Sequence, residues 1–125
     1  MEELRVMIVD DNPKAAQLVA LVLKGIGVQR IVEAKDGYAA QEILAADAEA
    51  IDLVICDNQM PGMSGLELLQ SVRRSHSALP FLMVTGNADP AFIEAAERHG
   101  ISGYIQKPFT PQKLQTTLSA LIQGL

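Results

Sequence analysis

Asp10 and Asp11 follow the apolar run Val6 to Val9, Asp57 follows Leu53 to Cys56, Thr85 follows Phe81 to Val84, and Lys107 comes just behind Tyr104-Ile105. Gathered in one place, these residues supply carboxylates, a hydroxyl and an ammonium. Clustered anions repel one another, so one aspartate would hold a proton unless a cation shares the site. Mg²⁺ suits them, because it takes oxygen ligands, keeps several waters and typically binds through one or two carboxylates plus phosphate. One carboxylate is then free to react. A lysine beside the metal makes sense if a further anion arrives, and phosphoryl is the natural one. Its oxygens could be held by Mg²⁺, the Lys107 ammonium and the Thr85 hydroxyl, since phosphoryl transfer is catalysed mainly by positioning and charge neutralisation. Asp57 is the expected nucleophile, its carboxylate forming an acyl phosphate.

For these residues to meet, the runs before them must be strands that end at one edge of a sheet. The runs at 6–9, 53–56 and 81–84 lack alternation, as strands buried on both faces of a parallel sheet do. A more polar candidate spans Gln29 to Ala34, and a short one covers 103–106. Between them the apolar spacing turns helical, as in Ala16, Val19, Ala20, Leu23 and in Leu114, Leu118, Leu121, Ile122. Asn12-Pro13, Asp89-Pro90 and Thr110-Pro111 each place a capping side chain before a proline at the first helical position. Ser64 with Glu67 forms a capping box, and Gly25 or Gly27, and Gly100, stand where a left-handed residue would end a helix. Helices are expected at 13–25, 37–47, 64–75, 90–99 and 111–123. The alternation predicts an α/β fold: a doubly wound, five-stranded parallel sheet with five helices, in the flavodoxin-like order 2-1-3-4-5. The polar strands belong at its edges, and the C-terminal strand ends open into one crevice.

The pattern formed by Asp10-Asp11, Asp57 with Met60-Pro61-Gly62-Met63-Ser64-Gly65, Thr85-Gly86, and Tyr104 ahead of Lys107-Pro108-Phe109 resembles the CheY-like receiver domain of two-component response regulators. The resemblance covers essentially the whole chain. It implies that Asp57 is phosphorylated by a phosphohistidine of a sensor histidine kinase or a histidine phosphotransfer protein. It further implies that Asp11 ligates Mg²⁺ directly, that Asp10 does so directly or through water, and that the backbone carbonyl of Gln59 completes the site. Thr85 and Tyr104 would be the switch, the hydroxyl moving toward the phosphoryl group and the ring turning inward. A cis bond before Pro108 would aim Lys107 into the crevice, and Asn58, Gln59 and Asn87 resemble positions that govern water access and the lifetime of the phosphoryl group. The output surface it implies is the 90–123 face, open to a downstream protein.

Composition narrows the alternatives. With 125 residues the chain is one domain, read as a single receiver over 1–125 without an output domain; the alternative is a receiver excised from a longer multidomain regulator. Fifteen Asp and Glu against ten Lys and Arg give a net charge of −5, which disfavours nucleic acid and anionic membranes as partners. The longest apolar run, Leu18 to Leu23, is too short to span a bilayer, and the acidic start is unlike a signal peptide, so a cytoplasmic location is expected. Cys56, the single cysteine, reads as a buried structural thiol, and His76 and His99 as helix-end residues. A haloacid-dehalogenase-type phosphatase would need an acid two residues after its nucleophile, where Gln59 stands. A flavodoxin-like carrier would need hydroxyls where Asp10-Asp11-Asn12 stands. The resemblance thus implies a switch that catalyses only its own phosphorylation and dephosphorylation.

Overall fold

Leu53–Asp57 and Phe81–Thr85 are buried at every position, as their unbroken apolar character requires of strands covered on both sides. The structure, a computed structural model, describes residues 3–47, 50–76, 78–86 and 89–125. Among these residues the elements alternate as β1 (Arg5–Val9), α1 (Pro13–Gly25), β2 (Arg30–Ala34), α2 (Gly37–Ala46), β3 (Leu53–Asp57), α3 (Gly65–Ser75), β4 (Phe81–Thr85), α4 (Pro90–Arg98), β5 (Gly103–Gln106) and α5 (Pro111–Gln123). The strands are parallel in the order β2-β1-β3-β4-β5, as expected from the sequence, with the polar strands at the two edges.

The helix starts follow their caps. Asn12 accepts from the amides of Lys14 and Ala15, Asp89 from Ala91, and Thr110 from Lys113, each with proline in the first turn. Ser64 and Glu67 form the reciprocal capping box, so Ser64 precedes α3 rather than opening it. The Asp36 carboxylate caps α2 through Ala39, a start that carries no proline. The predicted ends at 47 and 99 are the C-cap residues Asp47 and His99, so α2 and α4 each stop one residue earlier. Gly27 and Gly100 take the left-handed backbone at φ 101° and 82°, whereas Gly25 belongs to the last turn of α1. Strand pairing shifts the other boundaries. Arg5 pairs with Arg30, which extends β1 backward and leaves Gln29 outside β2. Asp57 pairs with Val84 and Thr85 with Gln106, so both stand inside their strands as the last residue.

Alternation along the strands divides the core into two. Val6, Ile8, Leu53, Ile55, Leu82 and Val84 face α1 and α5, while Met7, Val9, Val54, Cys56, Phe81 and Met83 face α2, α3 and α4.

Candidate functional site

The same alternation continues into the strand ends. Asp10, Asp57 and Lys107 converge at the end of the face that α1 and α5 cover, around a cavity of about 40 Å³ walled by Ile8, Ile55, Val84 and Phe109. Thr85, one residue after Val84, falls on the opposite face with Met83, in the register that also places Tyr104 there.

Asp57 is 7% exposed, and its Oδ1 lies 3.4 Å from Lys107 Nζ. The Gln59 amide donates to the same oxygen at 3.5 Å. Lys107 is held by its own backbone, whose N–H donates to the Thr85 carbonyl at 2.7 Å, and it precedes the cis Lys107–Pro108 bond that the family resemblance implies. Asp10 continues β1 by donating its amide to Ala34 O, and its Oδ1 accepts from the Asn12 amide at 2.9 Å. Burial pushes the Asp10 carboxyl above the ordinary carboxylate range; the Asn12 hydrogen bond opposes this, and the charge of Asp57 adds to it. Asp11 is exposed at the rim.

Oxygens of Asp10, Asp11 and Asp57 lie within 4.8 Å of one another, a grouping able to hold a metal ion. The donors are hard oxygens with no histidine or thiol among them, which suits Mg²⁺ or Ca²⁺ rather than a softer metal. Fully ionised, these three carboxylates exceed the one ammonium by two charges, the charge of a divalent ion.

Thr85 is fully buried, whereas Tyr104 is 44% exposed, its ring turned outward on the edge strand. Gln59 is exposed on the loop after β3, with its side-chain oxygen directed toward Gly86. Asn87 lies outside the described residues. Cys56 is fully buried, its thiol donates to Asp57 O, and burial raises its pKa well above the ordinary range, the state of an inert thiolate precursor. Sequence reasoning saw Asn58 only as a flanking position. Its carboxamide oxygen accepts from the Leu66 amide at 3.1 Å, a contact formed only once the intervening loop closes.

A family model for the response regulator receiver domain matches residues 6–119. The chain belongs to the response regulator receiver family. Its relatives include chemotaxis protein CheY-3 of Vibrio cholerae, 34% identical over 99% of this chain and 95% of that protein. Chemotaxis protein CheY1 of Helicobacter pylori is 32% identical over 95% of this chain and 97% of its own length. Among solved structures, the chemotaxis response regulator CheY4 of Vibrio cholerae superposes with a TM-score of 0.84 at 32% identity, covering 94% of this chain and 98% of that one. As a receiver, the chain serves phosphorylation-dependent signalling in two-component systems, a family that works with histidine kinases and downstream proteins. The dehalogenase-type alternative is not supported. No helix among the described residues is long and apolar enough to cross a membrane.

Proposed function

We propose that Asp57 accepts a phosphoryl group from a phosphohistidine, with Mg²⁺ held by Asp10, Asp11, Asp57 and the backbone carbonyl of Gln59. The observation that carries this reading is the Lys107 ammonium 3.4 Å from a nearly buried Asp57 carboxylate, beside two further aspartates. An oxygen of Asp57 attacks phosphorus as the donor's P–N bond breaks, and the imidazole leaves with the bonding pair. The bound ion supplies neutralisation of the carboxylate and phosphoryl charges. Lys107 moves from the Asp57 carboxylate to a phosphoryl oxygen. Thr85 swings its hydroxyl round the end of β4 to another, and Tyr104 turns into the space on that face.

On this reading the chain is a single receiver domain over 1–125. It is cytoplasmic, and it catalyses its own phosphorylation and dephosphorylation without turning over a metabolite. Its donor is a sensor histidine kinase or histidine phosphotransfer protein, and its output is protein binding or onward phosphotransfer through the face made by α4, β5 and α5. The net charge of −5 argues against nucleic acid or anionic membrane as the target. Incubation with Mg²⁺ and a small acyl phosphate is expected to add one phosphoryl group, labile to hydroxylamine, and Asp57→Asn to abolish it by intact mass. Unchanged labelling in that variant would place the nucleophile elsewhere.

A further inference from the structure

The loop between β3 and α3 carries the Gln59 carbonyl, and its shape is set by the residue before it. Asn58 is bonded at both backbone groups and through its side chain. Its N–H donates to Val84 O at 3.0 Å, which ties it to β4. Its carbonyl accepts from Gly65 N at 3.0 Å and its side-chain oxygen from Leu66 N at 3.1 Å. Gly65 and Leu66 open α3, so these are the amides that a helix start leaves without an intrahelical partner. The closure is tight. A Cβ on Gly65 would stand 2.7 Å from Asp57 O and 2.9 Å from Asn58 Cα, so the helix start rests directly on the Asp57-Asn58 backbone. Gln59 is therefore bracketed: its N–H is on Asp57 Oδ1 and its preceding residue is fixed to β4 and α3. These bonds hold the Asn58–Gln59 peptide, the unit next to the one that carries the Gln59 carbonyl.

We infer that Asn58 is a positioning residue that sets the divalent-metal affinity of the crevice by locking residues 58–66 into a closed loop, an inference that rests on the reading of the Gln59 carbonyl as a ligand. The side-chain oxygen of Asn58 is engaged by Leu66 N, so its proposed role is to position and not to ligate. The locked loop supplies a pre-ordered oxygen, so that the loop's ordering is not charged against metal binding.

Ser64 gives the control. It caps the same helix through Glu67 N at 3.1 Å and lies inside the loop, but its side chain bonds only forward into α3 and not across the closure that Asn58 makes. Asn58→Ala and Ser64→Ala each remove one cap from α3, and both are expected to lower the melting temperature. Only Asn58→Ala is expected to weaken Mg²⁺ binding, by about tenfold or more, the range seen when a ligand loses its supporting hydrogen bonds. Mg²⁺ titrations followed by amide chemical shifts measure this without phosphorylation, and amide exchange at Leu66 in metal-free protein should accelerate in Asn58→Ala alone. Equal Mg²⁺ midpoints for Asn58→Ala and wild type would overturn the proposal, as would an equal weakening in Ser64→Ala. A wild-type chain that never saturates with Mg²⁺ removes the underlying metal reading and this inference with it. Should Asn58→Ala not fold, Asn58→Asp keeps the acceptor for Leu66 and adds charge beside the crevice. It is expected to bind Mg²⁺ at least as tightly as wild type, and weaker binding would count against the proposal.

Discussion

On the face of the sheet covered by α1 and α5, the buried side chains are all aliphatic, whereas the face under α2, α3 and α4 holds Met7, Cys56 and Met83, with Met60 and Met63 packed at its margin. On the second face α3 buries Leu68, Leu69 and Val72, but the anchoring of α4 is lighter than that of either helix on the first. α1 buries Ala16, Val19, Ala20 and Leu23, and α5 buries Leu114, Leu118 and Ile122, but α4 buries only Ala96. Branched side chains interdigitate with few rotamers open to them, while methionine repacks readily. The acidic crevice and Lys107 end the stiff face; Thr85 and Tyr104 end the adaptable one. A carboxylate cluster that must hold its geometry against repulsion gains from a rigid bed. On the proposed reading, a hydroxyl and a ring that change place would gain from neighbours that yield.

The largest effect is expected from Leu118→Ala. Leu118 is fully buried in the aliphatic core, and deleting most of its side chain should cost about 2–5 kcal/mol in urea unfolding. Because α5 acts there as scaffold, the Mg²⁺ midpoint of the folded variant should stay put. A cost under about 1 kcal/mol would mean that this face collapses around the gap, and the contrast in stiffness would be lost.

Next in size is Arg73→Ala, which probes how α4 is held on the adaptable face. The Arg73 guanidinium donates twice to Gly100 O, at 3.2 and 2.7 Å, and once to His76 O at 3.0 Å. One side chain thus satisfies carbonyls at the ends of both α3 and α4. Its removal should cost about 1–3 kcal/mol, as loss of charge-assisted bonds does, and should speed amide exchange at Ile101 and Ser102. Lysine cannot reproduce the fork, so Arg73→Lys should recover little. If exchange at 101–102 is unmoved, the C-terminal end of α4 is held without Arg73, by the packing of Ala96 and Ile101 and the Ser102–Phe81 bonds.

These two residues also mark what the sequence made legible. Leu118 lies in a helical apolar stripe and the Asn-Pro, Asp-Pro and Thr-Pro pairs are local signals, so core and helix starts could be read one segment at a time. The sheet order followed from which runs were least polar, and the crevice followed from the sheet order. Arg73 and Gly100 are 27 residues apart, and no pattern in either segment announces their bond. The last residues of β3 and β4 escaped for the same reason. Asp57 and Thr85 are strand residues because Asn58 N reaches Val84 O and Lys107 N reaches Thr85 O, pairings made between segments. The cap that Asn58 places on α3 depends on closing a loop eight residues long.

A smaller effect, of opposite sign, is expected at the crevice itself. Asp10→Asn removes a part-buried charge that Asp57 repels, and the new side-chain oxygen can still accept from Asn12 N. Without metal the variant should therefore melt above wild type. Added Mg²⁺ is expected to stabilise wild type by mass action, in proportion to the logarithm of its concentration over Kd, and to stabilise the variant less. The gap between them should narrow as Mg²⁺ rises. A variant that melts below wild type in the absence of metal would show that the Asp10 charge is already compensated by Lys107.

The smallest change in stability, and the sharpest test of the contrast, is Met83→Leu. Met83 is fully buried, pairs in register with Tyr104, and places its sulfur against Gly65, where an added Cβ would stand 2.7 Å from it. It therefore lies between the ring expected to move and the first residue of α3. Leucine has nearly the same volume but one fewer rotatable bond and a branch, so the exchange should cost under about 1.5 kcal/mol. Beryllofluoride can stand in for the phosphoryl group, and the fraction of Asp57 occupied by it should be unchanged, because Asp57 and Lys107 end the other face. The accompanying amide shifts at Tyr104 and along α4 should shrink, since the ring has less room to enter. Leu82→Met makes the reverse exchange one residue away, on the aliphatic face, and should leave those shifts intact. Equal responses from the two variants would mean that the composition of the faces has no bearing on the switch; a response lost only in Met83→Leu would tie the motion of Tyr104 to the adaptability of the side chain beside it.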